Sequence, residues 1–168
     1  MRKLFLAAAT VVFFFLSSCN NNKTNAPAAN PQSQKNIEAA RVILDVFKTG
    51  EVNRLDNVVS PDYVDHRPEG DIKGIDSLKK SVLWVRENMK DMKSEVTREW
   101  ADEEYVALWM QYSGNNAVAM AGMPAGPYNW NIIELTRYKD GKAIEHWAFT
   151  EAQTVARMME GTDTSAAQ

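Results

Sequence analysis

ELTRYKDGKAIEHW, residues 134–147, reads as two strands folded back about a tight turn. Tyr128 to Tyr138 and Lys142 to Thr150 are its arms, joined by Lys139-Asp140-Gly141. A glycine closing a three-residue loop fits a type I turn followed by a bulge. That loop sets Tyr138 against Lys142 and, counting back, Glu134 against His146. A two-residue loop slips the register by one and sets Leu135 against His146 instead. Directly opposed side chains share one face of the sheet, so in the first register Glu134, His146, Ile132 and Ala148 look the same way.

Glu134 interrupts a run, Ile132-Ile133-Glu134-Leu135, that otherwise reads as a core strand. A carboxylate there costs several kcal/mol to bury unless it is paired. His146 is the expected partner, with His66 as a second. Burial and a neighbouring opposite charge pull a carboxyl group in opposite directions, which is how proton-transfer groups are tuned. Glu134 is therefore the expected acid/base, with His146 or His66 orienting it or the substrate. A purely structural Glu134–His146 ion pair remains the alternative.

Ahead of the hairpin the pattern is helical. Ile37, Ala40, Ile43, Leu44 and Phe47 recur at helical spacing up to Gly50. Val52, Leu55, Val58 and Val59 suggest a short second helix, broken by Ser60-Pro61, and Tyr63 to Gly70 reads as irregular. Leu78, Val82, Val85 and Met89 line a third helix starting near Asp76. Alternation then sets in: Met92 to Trp100 and Tyr105 to Tyr112 read as strands about an Asp102-Glu103-Glu104 corner, and Gly114 to Gly126 as a loop. Glu151 to Met159 could close the fold as a short helix placing Val155 and Met158 near the sheet. Helices followed by a run of antiparallel strands is an α+β order. With about four long strands, the sheet must curl round the helices to make a conical cup.

The N-terminus carries a different signal. Arg2-Lys3, an apolar run from Leu4 to Leu16 and Ser17-Ser18-Cys19 have the layout of an export signal, too short to span a bilayer. The end of that run resembles a bacterial lipobox, which implies lipidation at Cys19 and a membrane-anchored lipoprotein. The expected divisions are residues 1–18 as signal peptide, 19–35 as lipidated cysteine and disordered tether, 36–160 as one domain and 161–168 as a frayed tail. Losing Arg2 and Lys3 would take the formal net charge from −3 to −5. No basic cluster survives, which argues against nucleic acid. Asn20 after the lipidated position favours the outer over the inner membrane, with the domain in the periplasm or at the cell surface.

Three blocks carry a resemblance. SPDYVDH (60–66) resembles the "spdfvdH" opening of SnoaL-like domains in the NTF2-like superfamily. GMPAGPY (122–128) resembles their "G-x-P-x-G" loop, and residues 134–147 resemble their "D-I-F-R-x-x-D-G-K-I-x-E-H-W" signature. The resemblance covers 37 to about 158. It implies a cone-shaped α+β barrel with a curved antiparallel sheet wrapped around N-terminal helices, a deep pocket, and a homodimer through the open sheet. Cyclases of the family carry an aspartate after the signature tryptophan, where this chain has Ala148. Trp109 stands where "V-A-V-R-W" has arginine, and Glu151 is the nearest match to a later aspartate. A cyclase mechanism therefore does not carry over intact.

Tyr63, Trp84, Trp109, Met123, Trp130 and Glu151 are the candidate ligand-binding residues. A cavity plugged by Trp109 and Trp130 would favour an interaction role. His66, His146, Glu134 and Asp65 offer metal-ligand types without local ligand spacing, so neither metal nor cofactor is expected. Three functions stand open: binding a small, mostly apolar molecule without turnover; proton transfer beside a carbonyl, as in ester cyclases and ketosteroid isomerases; and dimerisation through the open sheet.

Overall fold

The computed structural model describes residues 30–119, 125–152 and 155–156. Helix α1 (Pro31–Thr49) is followed by a 3-10 turn (Val52–Arg54), α2 (Leu55–Val58), strands β1 (Val59–His66) and β2 (Ile72–Lys73), and α3 (Ile75–Asn88). Four long strands complete it: β3 (Met89–Ala101), β4 (Tyr105–Asn116), β5 (Gly126–Lys139) and β6 (Lys142–Thr150). They form one curved, unclosed sheet in the order β2-β1-β6-β5-β4-β3. The α+β cup expected from the sequence is present. Among the described residues no helix is long and apolar enough to cross a membrane.

Helix α1 begins earlier than its apolar period suggests. The Asn30 side chain accepts from the Gln32 N–H and Pro31 occupies the first turn, a cap and a proline that together nucleate the helix. Residues 31–35, expected in the tether, are thus helical. Ser33 and Asn36 are buried, and Asn36 donates to the backbone oxygen of Glu103 at the β3–β4 corner. Val46, Leu55, Val59, Val82, Val106 and Met110 are fully buried, so the helices meet the sheet's inner face in one core. Each such side chain contributes on the order of 1.5–3 kcal/mol.

Two local expectations are corrected. The segment from Tyr63 is strand rather than irregular: β1 pairs parallel with β6, matching Asp65 to His146 and His66 to Trp147. Pro61 falls where that ladder is interrupted, between Val59 and Val64, so its missing N–H costs no regular pair. Strand β4 also runs on to Asn116, shortening the expected loop.

The hairpin turn has two residues, not three. Asp140 (φ 55°) and Gly141 (φ 79°) are both left-handed, the type I′ geometry that Asp-Gly favours, and Lys139 pairs with Lys142. By itself this would turn His146 away from Glu134. A bulge between Ala143 and Glu145 slips the register again, so Thr136 faces His146 and Glu134 faces Ala148. Glu134 and His146 therefore stay on one face, as diagonal rather than direct neighbours. At the chain's far end Ala152, Val155 and Ala156 are helical, but Val155 is exposed rather than packed on the sheet; Met158 lies outside the described residues.

Candidate functional site

The inner face of the sheet carries an acid–imidazole–acid chain. His146 on β6 donates from Nδ1 to Asp65 Oδ1 (2.8 Å) and from Nε2 to Glu134 Oε2 (2.6 Å). Glu134 Oε1 accepts from the Tyr112 hydroxyl on β4 (3.1 Å). Beyond Asp65, Arg67 donates from Nε to Oδ2 (2.6 Å) and from Nη2 to Ser81 on α3 (3.2 Å). Four strands and a helix thus hold one linear network, Arg67–Asp65–His146–Glu134–Tyr112. The His146 and Glu134 side chains keep about a fifth of their surface and Asp65 about a tenth.

The electrostatics follow from this geometry. Burial alone pulls the His146 imidazole's pKa down, but hydrogen bonds from two carboxylates and their charges outweigh it and push it up to about 9. Burial likewise works against the Asp65 anion, yet the His146 and Arg67 contacts prevail and hold it below the ordinary carboxylate range. Burial, then the charge of Glu134, raises Tyr112 well above an ordinary phenol, so it remains a donor. At neutral pH His146 is a cation between two acids.

Glu134 and His146 face two apolar hollows between the sheet and the helices. The larger, about 200 Å³, is walled by residues including Leu44, Phe47, Val85, Tyr112, Trp130 and Ile132. The smaller, about 80 Å³, lies on the side of Tyr63, Leu108 and Tyr138. Apolar walls with a few converging polar groups are the usual make-up of a small-molecule site. Among the described residues no group of three or more His, Cys, Asp or Glu is placed to hold a metal ion.

The sequence-derived candidates divide. Glu134 and His146 meet, Trp130 lines the larger hollow stacked on Tyr128 (4.3 Å between ring centres), and Tyr63 lines the smaller. His66 does not join them. It follows Asp65 on a strand, so it points to the opposite face, where it stacks on Trp147 (4.8 Å) and meets Asp71 (2.9 Å). Trp109 alternates with the buried Leu108 and Met110 and so faces outward, 37% exposed. Trp84 is 43% exposed on α3 and lines neither hollow. Of the two tryptophans expected as a plug, Trp109 lies on the outer face and Trp130 forms part of the wall of a hollow that stays open. Glu151 accepts from Asn131 (3.4 Å) and also lies outside both linings. Met123 and Cys19 lie outside the described residues.

Sequence reasoning missed Asp65 as the partner of His146, and Arg67 and Tyr112 entirely. The signal for Asp65 was present in SPDYVDH: alternation in a strand puts Tyr63 and Asp65 on the face opposite His66. Reading that segment as irregular hid it.

With this site in place, comparison decides the family. The model of the SnoaL-like polyketide cyclases matches residues 37–158. This chain belongs to that family. TsrD from Streptomyces laurentii superposes with a TM-score of 0.63 at 19% identity, over 79% of this chain and 97% of TsrD. A protein from Jannaschia sp. CCS1 described as a SnoaL-like polyketide cyclase gives 0.65 at 16% identity, over 79% and 96%. An LEH-like epoxide hydrolase from M. tuberculosis gives 0.61 at 11% identity, over 81% and 97%. No curated protein matches the chain. At these identities the solved relatives establish the shared fold alone and leave the chemistry to the site.

Proposed function

We propose that this SnoaL-like domain binds a small, mostly apolar carbonyl compound in the hollow over Glu134, and that Glu134 moves a proton at the carbon next to the carbonyl. The observation that carries the reading is the Glu134 carboxylate at an apolar floor, accepting from His146 and Tyr112. Removal of the proton leaves its electron pair delocalised onto the carbonyl oxygen, and return to another carbon completes an isomerisation. His146, fixed by Asp65, is the positioning group that holds Glu134 in place. Such acid–base assistance is worth about 10²–10⁴-fold.

Binding without turnover is the second reading. Ala148 is the residue opposite Glu134 on the adjoining strand, so no second acid stands where the family's cyclases carry an aspartate. Deuterium exchange into the α-position of a model ketone, followed by proton NMR, separates the two. The enzyme reading expects acceleration that falls at least 100-fold in Glu134→Gln while the ketone still binds. Exchange no faster than in buffer, with binding intact, leaves a binding protein.

The setting of the domain is part of the proposal. Arg2-Lys3, the apolar run to Leu16 and Cys19 support a lipoprotein of the bacterial cell envelope, and Asn20 favours the outer membrane over the inner. The outward sheet face, with Trp100, Trp109 and Phe149 at 53%, 37% and 51% exposure, supports a homodimer. Palmitate labelling that disappears in Cys19→Ala, and a mass of two chains in sedimentation, are the expected results.

A further inference from the structure

Beside the apolar cavity opens a third hollow, also about 200 Å³, which shares Phe47, Met89 and Met92 with it. Its remaining walls are Lys48, Arg86, Lys90 and Asp91, three cations and one acid on a chain whose formal charge is −3. None of the ion pairs among the described residues involves Lys48, Arg86 or Lys90. Most other basic side chains near the cup are committed: Arg67 to Asp65, Lys79 to Asp56, Arg137 to Glu145.

Local structure holds one of these cations, Arg86, in place. Arg86, in the last turn of α3, donates from Nη1 to the carbonyl oxygen of Lys48 near the end of α1. Gly50, left-handed at φ 81°, caps α1 there; a Cβ on it would meet Arg86 Nε at 2.6 Å. Across the hollow, Asp91 (φ 53°) lies in a bulge that slips the β3–β4 register between Lys90 and Lys93. A bulge beside a cavity commonly re-aims side chains. A cation near a helix C-terminus can serve the helix dipole, which accounts for Lys48 but not for Lys90 on a strand.

The polarity of the two ends differs. At the floor the cavity meets the Glu134 carboxylate, and His146 is already matched by two acids. At the rim it meets Lys48 and Lys90, which enter no ion pair among the described residues, and the single acid Asp91, so positive charge is in excess there. An anion is repelled by the first and attracted by the second.

We infer that the ligand is a single-tailed anionic amphiphile, its apolar body over Glu134 and its carboxylate or phosphate head at the rim between Lys48 and Lys90. Arg86 positions Lys48 rather than binding the head itself. This rests on the cavity reading proposed above and extends it by naming the head group's charge and place. The rim cations are exposed, so their contribution is modest and weakens with salt. The tail contributes by area, about fourfold in affinity per buried methylene.

Calorimetry on the mature chain at low ionic strength, with decanoate, decyl phosphate, 2-decanone and decyltrimethylammonium as probes, tests this. The expected result is that decanoate or decyl phosphate binds about tenfold tighter than 2-decanone, and decyltrimethylammonium most weakly. The anion preference should collapse in the Lys48→Glu/Lys90→Glu variant, persist in Lys48→Arg/Lys90→Arg, and shrink in 0.5 M salt. Whichever anion ranks first identifies the head group, and either ranking supports the inference. Equal binding of 2-decanone and the anions, or a preference unmoved in the Glu variant, overturns it. If 2-decanone also binds and Ile132→Trp blocks it, the cavity reading survives that failure. If no probe binds, both fall.

Discussion

His146 and His66 belong to neighbouring ladder positions of two parallel strands, and each ring lies near two carboxylates, but on opposite faces of the sheet. His146 faces inward between two carboxylates and borders the apolar hollows. His66, matched to Trp147 one position on, faces outward, stacked on that indole and beside Asp71. Chemistry at the residue level is the same. One step along a strand with a two-residue period sets one imidazole beside the apolar hollows and stacks the other on an indole at the outer face.

Removing the partners of the two rings should show the contrast most strongly. Asp65→Ala leaves His146 and Arg67 without their shared acid, which should destabilise the domain by about 3–5 kcal/mol in urea unfolding. A loss below about 1 kcal/mol would mean the inner chain is not electrostatically knit. Next in size is pH. The folded pKa of His146, about 9, lies above its ordinary 6.5, so the stabilisation is complete below pH 6.5 and is lost as pH rises through about 9. The loss should amount to about 3 kcal/mol across that window, and His146→Gln should flatten it. The smallest effect belongs to the outer ring: His66→Ala removes a partly exposed stack and should cost about 1 kcal/mol.

The same alternation explains what could be read from the sequence. Helix period, strand period and the Asp-Gly turn were sufficient for an α+β cup, and a lone acid in Ile132-Ile133-Glu134-Leu135 was sufficient to single out Glu134. That Glu134 and His146 share a face was legible, but their direct pairing was not correct. A type I′ turn and a β6 bulge each shift the register by one residue, and the two shifts together restore the face. Bulges leave little trace in composition. Asp65 was hidden because Pro61 suggested a break rather than an interrupted parallel ladder. Trp84 and Trp109 were misplaced because size suggests burial, whereas position on a helix or strand decides it. Asn30-Pro31 was a readable helix start, obscured by a polar first turn.

A cationic His146 and the Glu134 carboxylate form a hydrogen-bonded pair facing the cavity, and the mechanism depends on it. With two histidines in the chain, nitrogen-detected NMR titration of the imidazoles measures it directly, the His66→Ala variant identifying the signal. His146 is expected to titrate near pH 9, and Glu134→Gln to lower that value. Titration of His146 at or below 6.5, or a value that Glu134→Gln leaves in place, would contradict it.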